Sequence, residues 1–240
     1  MATREITYQS LPYRISYEII NPQCNDTIMI LHGWGSNKEI MQGAFSKHLS
    51  QHKHLYIDLP GFGKSPNETI LKTKDYAQIV RLFLESLNIQ PSLIIGHSFG
   101  GKVATLLTPP TLALLSSAGI PTPKSLKVRS KIKLFKLLKP LGLGKWRQLF
   151  ASKDVEGMNQ AMYETFKNVV DEDFSADFKA YPHKALIFWG KEDSATVLSS
   201  GEKISKLIKH SDFHPLEGDH FFFTKHAAFI SQTLQKELHG

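Results

Sequence analysis

The stretch Leu93-Ile94-Ile95-Gly96-His97-Ser98-Phe99-Gly100-Gly101 gives the clearest indication of fold in the sequence. An apolar run is followed by glycine, histidine and serine, and a helical pattern begins near Lys102. This order predicts a buried strand, a sharp turn at Ser98 and then a helix. Such a turn crowds the backbone, so the flanking positions have to be small, and Gly96 and Gly100 meet that need.

Similar apolar runs recur along the chain, at residues 27–31, 54–57, 92–95, 112–116 and 185–189. Helical patterns lie between and after them, at residues 39–49, 75–87, 102–107, 202–208 and 224–238. Short apolar runs that alternate with helices predict an α/β fold with a doubly wound, mostly parallel sheet. Residues 5–20 instead predict an antiparallel hairpin with a turn near residues 10–12.

The alternation of strands and helices stops between residues 121 and 181. This stretch is too long for a connecting loop, so it should carry structure of its own. We predict a helical lid insertion at residues 121–181, placed over the carboxyl edge of the sheet. Residues 1–120 and 182–240 would then form the α/β core.

The composition fits a soluble globular protein and indicates the kind of compartment in which the protein works. Of the 240 residues, 41% are hydrophobic and 21% are charged, which is ordinary for a globular domain. The single cysteine, Cys24, excludes an intrachain disulfide and fits a reducing compartment. We find no apolar signal segment near the N-terminus and no apolar run approaching the ~20 residues that span a bilayer. We therefore expect no transmembrane segment and a cytoplasmic location.

Three residues that follow predicted strands can form a catalytic triad. A serine hydroxyl becomes a useful nucleophile when it is exposed beside a base, and the turn at Ser98 provides the exposure. Its partners should follow in the order acid, then histidine. Asp193 follows the run at residues 185–189, with Glu192 as the rival acid, and His220 follows the last strand-like run. We predict Ser98 as nucleophile, His220 as general base and Asp193 as the acid that orients the imidazole.

The motif His32-Gly33-Trp34-Gly35 comes directly after the first buried run and predicts an oxyanion hole. Such a hole needs two backbone N–H groups, and a glycine-rich turn lets the backbone approach the reacting atoms. We predict that the N–H groups of Trp34 and Phe99 supply the two donors. The residues expected to support the turn around the nucleophile are Gly33, Gly96, His97 and Gly100.

Neither a cofactor nor a metal is expected. Residues 61–65 look like the end of a phosphate-binding loop, but Asp58 stands where its first glycine belongs and Pro66 follows where its helix should begin. Two pairs of histidines have helical spacing, but neither has the neighbouring glutamate that would complete a metalloprotease motif.

The motifs together resemble the α/β-hydrolase fold family, in the order in which that family carries them. They are residues 32–36, 58–65 (Asp-Leu-Pro-Gly-Phe-Gly-Lys-Ser), 96–101, 190–193 and 218–220. The resemblance implies the α/β-hydrolase fold, with the insertion as the lid that shapes the acyl pocket.

Within that family, the first hundred residues look like the small carboxylesterases that demethylate pimeloyl-carrier-protein esters. They are also similar to generic esterases and to the meta-cleavage C–C hydrolases. The C–C hydrolases usually carry Asn before the nucleophile and Trp after the catalytic histidine, where this chain has His97 and Phe221. The resemblance therefore implies an esterase for a small-molecule or carrier-linked ester or thioester. A C–C bond hydrolase and a non-catalytic binding protein remain the alternatives.

The basic residues of the chain are concentrated in the predicted lid. The formal net charge is +7, and ten of the 29 Lys and Arg residues lie at 124–153, where there is no Asp or Glu. The other 19 are balanced by 22 acidic residues. The block is either a solvated lid surface or a docking patch. A docking patch would suit an acidic partner, such as an acyl carrier protein, an anionic substrate or an anionic membrane surface. No nucleic-acid-binding motif accompanies it, so we expect no nucleic acid partner.

Overall fold

The computed structural model describes residues 1–121 and 158–239. The strands are β1 (Ala2–Tyr8), β2 (Leu11–Ile20), β3 (Thr27–Leu31), β4 (Lys53–Ile57), β5 (Leu93–His97), β6 (Thr111–Leu115), β7 (Lys184–Gly190) and β8 (Ser211–Leu216). The helices are α1 (Lys38–Phe45), α2 (Thr73–Ser86), α3 (Phe99–Leu107), α4 (Gln160–Val169), α5 (Ser175–Ala180), α6 (Leu198–Leu207) and α7 (Phe223–His239). None of the helices in these ranges is long and apolar enough to cross a membrane.

The strands form an eight-stranded sheet in the order β1-β2-β4-β3-β5-β6-β7-β8. Strand β2 pairs antiparallel with both of its neighbours, and the pairs from β4 to β8 are parallel. The predicted α/β fold with a mostly parallel sheet is therefore confirmed. Because the parallel strands all point the same way, the residues that follow them collect at one edge of the sheet.

Alternation along the buried strands separates two hydrophobic cores. In β3, Ile28 and Ile30 belong to the core that includes side chains of α1 and α7. The intervening Met29 and Leu31 belong to the opposite core, which includes side chains of α2, α3 and α6. A strand whose successive side chains point to opposite faces can be apolar throughout only when both faces are covered, as they are here.

The predicted elements are present, and their bounds differ in specific places. The five predicted parallel strands match β3 to β7 within two residues at each end. The hairpin turns earlier than expected, at Gln9 and Ser10, which both have positive φ angles, 50° and 63°, as a two-residue hairpin turn requires. Helix α3 begins at Phe99, three residues before the predicted start.

The described part of the predicted insertion contains α4 and α5. Helix α4 is tied to the core along its length: Asn159 Nδ2 donates to the carbonyl of Asn67 at 3.0 Å, and the N–H of Leu71 donates to Thr165 Oγ1 at 2.9 Å. Residues 122–157, including the basic block, lie outside the described residues. The division of the chain into a core and a lid therefore stays a prediction.

Candidate active site

The residues predicted to be catalytic follow different strands and gather at the carboxyl edge of the sheet. Ser98 follows β5, Asp193 lies three residues after β7, and His220 lies four residues after β8. The parallel register sets the strand ends side by side, with His97 opposite Leu115 and Gly190 opposite Leu216. The edge therefore brings together groups that are far apart along the chain.

Ser98 occupies a strained turn between β5 and α3. Its φ and ψ angles are +50° and −114°, a region that a residue with a side chain rarely adopts. The turn is held by β6 and the residues after it, since the N–H of Ser98 donates to the carbonyl of Leu115 and the N–H of Ala118 donates to the carbonyl of Ser98, both at 3.0 Å. Strain of this kind persists when the surrounding structure over-determines it, as it commonly does at active sites.

The glycines near Ser98 permit close packing of backbone on backbone. A Cβ atom on Gly100 would lie 2.5 Å from the carbonyl oxygen of His32, and one on Gly96 would lie 2.6 Å from the carbonyl oxygen of Gly100. Neither position can accept a side chain without moving the main chain. At these two glycines, helix α3 therefore approaches strand β5 and the loop after β3 more closely than a side chain would allow.

The loop after β3 lies directly against the nucleophile turn. A Cβ atom on Gly33 would lie 3.1 Å from Ser98 Cβ and 2.9 Å from His97 Nδ1. Trp34 follows in the same loop, and its ring meets that of Phe99 edge to face at 5.5 Å. Phe99 is the first residue of α3, so its N–H has no acceptor within the helix. The structure thus places the loop of Trp34 against Ser98 and Phe99, and the role of the two N–H groups as oxyanion donors stays a prediction.

The two rival acids have different surroundings. Asp193 is buried, and its Oδ2 atom accepts a hydrogen bond from His220 Nδ1–H at 2.7 Å. Its Oδ1 atom accepts from the N–H groups of Ala195 and Thr196 at 2.8 and 2.9 Å. Glu192 is exposed and accepts from the N–H of Gly218. The structure therefore brings Asp193, and not Glu192, to the imidazole.

The environment keeps Asp193 ionised. Burial by itself would raise the pKa of its carboxyl group, but the hydrogen bond and charge of His220 and the N–H of Thr196 outweigh burial, so the pKa is lowered from its ordinary value. A carboxylate on Nδ1–H fixes the tautomer of His220 and leaves Nε2 with a lone pair, as a general base requires.

Thr196 is a neighbour of the acid that the sequence analysis missed. Its Oγ1 atom lies 2.9 Å from Asp193 Oδ2 and 3.0 Å from the carbonyl oxygen of Ser116. The same hydroxyl is 3.5 Å from His220 Nδ1. The sequence does show a hydroxyl residue three positions after the proposed acid. Asp and Thr side chains often form hydrogen bonds within a turn of this length, and that signal could have identified Thr196.

His97 connects the nucleophile strand to the loop of His220. Its Nε2–H donates to the carbonyl oxygen of His220 at 3.0 Å, and the two rings lie 4.6 Å apart between centroids. Burial, and then the proximity of His220, lower the pKa of His97 to about 3, so the ring is neutral at physiological pH. His97 is thus a fixed hydrogen-bond donor and not a second base.

The loop that carries Gly33 is itself fixed by a buried network. His32 Nδ1–H donates to the carbonyl of Gly33 at 2.7 Å, and the N–H of Leu59 donates to His32 Nε2 at 3.0 Å. Next to Leu59, Asp58 forms a fully buried ion pair with Lys38, with Nζ 2.7 Å from Oδ2. Neither the family motif at residues 58–65 nor the comparison with a phosphate-binding loop predicts this ion pair.

The structure brings to one edge of the sheet a serine on a strained turn and an imidazole that is hydrogen-bonded to a buried carboxylate. A glycine-rich loop lies against the serine. Among residues 1–121 and 158–239, no group of three or more His, Cys, Asp or Glu side chains is arranged to hold a metal ion.

Comparison with known proteins agrees with this architecture. The family model described as the alpha/beta hydrolase family matches residues 28–232. A pimeloyl-[acyl-carrier protein] methyl ester esterase from Proteus mirabilis is 35% identical over 79 residues, which are 32% of this chain and 29% of that protein. The match thus spans less than a third of that relative.

Solved structures are similar over nearly the whole chain. A thermophilic esterase from Thermogutta terrifontis superposes with a TM-score of 0.74 at 14% identity, covering 100% of this chain and 98% of the other. A meta-cleavage product hydrolase from Pseudomonas fluorescens gives a TM-score of 0.69 at 16% identity, covering 97% and 96%. At these identities the likeness concerns the fold.

Proposed function

Because this chain belongs to the alpha/beta hydrolase family, we propose that it is a serine hydrolase that cleaves carboxylic esters through an acyl-enzyme on Ser98. The observation that carries the proposal is the 2.7 Å hydrogen bond from His220 Nδ1–H to Asp193, at the same sheet edge as a strained Ser98. An orienting acid on one imidazole nitrogen leaves the other nitrogen free to act as a base.

In the first half of the reaction, His220 Nε2 takes the proton of Ser98 as Oγ bonds to the ester carbonyl carbon. The N–H groups of Trp34 and Phe99 donate hydrogen bonds to the carbonyl oxygen and stabilise the negative charge that develops on it. Collapse of the tetrahedral intermediate breaks the bond to the alcohol oxygen, and the imidazolium of His220 returns the proton to the departing alcohol.

In the second half, a water molecule attacks the acyl carbon and His220 takes its proton. The bond to Ser98 Oγ breaks, the serine recovers the proton from His220, and the carboxylic acid leaves. Asp193 stays ionised throughout and stabilises the imidazolium that forms in each half. His97 holds the carbonyl of His220 and so keeps the base in place without taking part in proton transfer.

The variant Ser98→Ala tests the proposal. We expect its kcat on nitrophenyl esters to fall by about 10⁴- to 10⁶-fold, by analogy with other serine triads. A fluorophosphonate probe should label the unmodified protein and not the variant. Ser205→Ala is a matched control, because within the described part of the chain that hydroxyl bonds only the carbonyl of Glu202 in α6. Near-normal turnover by Ser98→Ala would reject the proposal, and an unlabelled wild type would favour a non-catalytic binding protein.

We further propose that the ester is carried on an acidic protein such as an acyl carrier protein. Two observations support this: the name of the Proteus mirabilis relative, and the ten basic residues at 124–153 without an acidic one. Clustered charge of one sign raises the rate of encounter with an oppositely charged partner and is weakened by salt.

Charge reversal tests this substrate class. The triple variant Lys131→Glu, Lys133→Glu, Lys136→Glu should raise KM for an ester on acyl carrier protein by about tenfold at low salt and leave small neutral esters unchanged. The matched control reverses the exposed lysines 209, 225 and 236. Equal losses on both substrate types, or an equal effect of the control, would contradict a docking role.

A further inference from the structure

Lys102 is a buried lysine one turn after Ser98 on helix α3. Only 2% of its side chain is exposed, and its ammonium group lies 2.5 Å from the carbonyl oxygen of Val169 and 3.0 Å from Glu172 Oε2. A buried ammonium is costly unless it is paired and hydrogen-bonded. Both of these partners come from the segment between β6 and β7, and not from the helix that carries the lysine.

The two contacts attach Lys102 to the end of α4. Val169 is the last residue of α4, where carbonyl groups have no N–H donor within the helix and a nearby cation is favourable. Glu172 also accepts a hydrogen bond from the hydroxyl of Thr73, the first residue of α2. Lys102 therefore stands where helices α2, α3 and α4 meet.

A chain of ring contacts leads from Lys102 back to α4. Its ammonium lies 5.4 Å from the ring centroid of Phe99, within the range of a cation–π contact. The Phe99 ring meets Trp34 at 5.5 Å, and Trp34 meets Phe166 at 5.4 Å. Phe166 is one turn before Val169 on α4. These contacts link Lys102 to α4 through Phe99 and Trp34, the two residues whose N–H groups we propose as oxyanion donors.

The other end of α4 packs on the same region. A Cβ atom on Gly61 would lie 2.2 Å from Met162 Sδ, so the methionine occupies the space that a side chain there would need. Phe62 in turn meets the Trp34 ring at 4.8 Å. The inner side of α4 and these rings form a wall beside the proposed oxyanion hole, and the position of α4 sets where that wall stands.

We propose that Lys102 is a positioning residue that determines acyl-group specificity by holding α4 against Trp34 and Phe99. The inference rests on the proposed ester hydrolysis at Ser98 and deepens it. The lysine does not contact the reacting atoms in this scheme. Its part is to keep the wall of the acyl site in place, so its loss should change which esters are preferred more than whether esters are cleaved.

Lys102→Met is the direct test, because methionine keeps an unbranched stem and removes the charge. Hydrogen exchange of the α4 amides, residues 160–169, should become at least about tenfold faster, as expected when a helix opens locally. The ratio of kcat/KM between long and short nitrophenyl esters, from acetate to decanoate, should change by about tenfold, the size of effect that a displaced pocket wall produces.

Two further variants make the result interpretable. Glu172→Gln keeps the side-chain shape and the bond from Lys102 to Val169, so it should shift exchange and selectivity in the same direction by a smaller factor. It also serves if Lys102→Met does not fold. Lys184→Met removes a lysine at the start of β7 whose ion-pair partners, Asp212 at 2.9 Å and Glu237 at 3.9 Å, lie in β8 and α7. It should leave both measurements unchanged.

The proposal is overturned if a folded Lys102→Met protein shows unchanged α4 exchange, or loses activity by one factor on every ester. For a Lys102→Met protein that does not fold, the same outcomes in Glu172→Gln overturn it. The exchange measurement needs no turnover, so it separates this proposal from the previous one. If Ser98→Ala retained activity, ester hydrolysis at Ser98 would be rejected, while the exchange result would still decide whether Lys102 holds α4.

Discussion

Two buried aspartates at the carboxyl edge of the sheet, Asp58 and Asp193, have similar surroundings and different partners. Each follows a parallel strand, β4 or β7, and neither side chain is exposed. Asp58 accepts hydrogen bonds from the N–H groups of Lys38 and Lys64 at 2.9 and 3.0 Å, much as Asp193 accepts from two N–H groups of its own loop. The difference is the partner side chain: the ammonium of Lys38 on one, the imidazole of His220 on the other.

This difference separates a structural site from a proposed catalytic one. A lysine ammonium has no lone pair and cannot act as a base, whereas a neutral imidazole carries a lone pair on one ring nitrogen that can take a proton. The pair of Asp58 and Lys38 can therefore only fix the start of α1 and the loop after β4. The pair of Asp193 and His220 can pass a proton at Nε2 while the carboxylate stays charged. Backbone N–H groups thus hold both carboxylates, and the side chain opposite each carboxylate decides what the site can do.

Replacing Asp193 by Asn should give the largest loss of activity that separates the two sites. The amide cannot hold the Nδ1–H tautomer of His220, so we expect kcat on a nitrophenyl ester to fall by about 10⁴-fold, as in other triads. Glu192→Gln is the control, because that carboxylate is exposed and bonds Gly218. A larger loss in Glu192→Gln than in Asp193→Asn would show that Glu192, and not Asp193, is the acid.

Replacing Asp58 by Asn should instead reduce stability. Among the described residues, the variant leaves the buried ammonium of Lys38 with the half-exposed Glu39, 2.8 Å away, as its remaining ion-pair partner. Breaking a buried ion pair by removing one partner costs about 3–5 kcal/mol, and we expect the lower end of that range in urea unfolding. The folded fraction should still react with a fluorophosphonate probe. A variant as stable as wild type would show that the ion pair does not hold this loop.

The fold could be predicted further than the contacts of the site. Strands β3 to β7 are apolar because both faces of the sheet are covered, and that burial is visible in the sequence as short runs that end at polar or glycine residues. Since parallel strands end at one edge, the motifs containing Ser98, Asp193 and His220 could be placed there without coordinates. The edge strand β8 is less buried and its pattern is weaker for that reason.

The partners of buried polar residues could not be predicted in this way. Lys38 and Asp58 are 20 positions apart, and Lys102 and Glu172 are 70 positions apart. A lysine in the sequence gives no sign of its partner, because the pairing is decided by which helices the tertiary fold sets side by side. From the sequence, Lys102 is expected to be a surface residue of a short helix. In the structure it is buried, because residues at and after the end of α4 cover it.

Acid should weaken both aspartate sites. Burial would raise the pKa of Asp58, but its hydrogen bonds from the N–H and ammonium of Lys38 lower it below the ordinary value, and the pKa of Asp193 is also lowered. Each carboxylate therefore stabilises the fold above its unfolded pKa of about 4, and this contribution is lost as pH falls through the folded pKa.

We accordingly expect the unfolding free energy of the wild type to decline below about pH 4. Asp58→Asn should decline less steeply, because one of the two carboxylates no longer titrates. Urea unfolding at a series of pH values measures both slopes. Equal slopes in the two proteins would mean that Asp58 takes up its proton with the same affinity folded and unfolded.

The smallest effect is expected at Thr196, whose hydroxyl lies within hydrogen-bond distance of Asp193. In the described part of the chain, the hydrogen bonds to Asp58 come from N–H and ammonium groups and not from a hydroxyl. A hydrogen bond to a charged group contributes about 1.5–3 kcal/mol, and the backbone N–H groups of the loop remain in Thr196→Val. We therefore expect kcat to fall by about tenfold, and Thr196→Ser, which restores the hydroxyl, to recover most of it. If the valine variant turned over normally, the Thr196 hydroxyl would not be needed to hold Asp193, and the two aspartate sites would differ only in the side chain opposite each carboxylate.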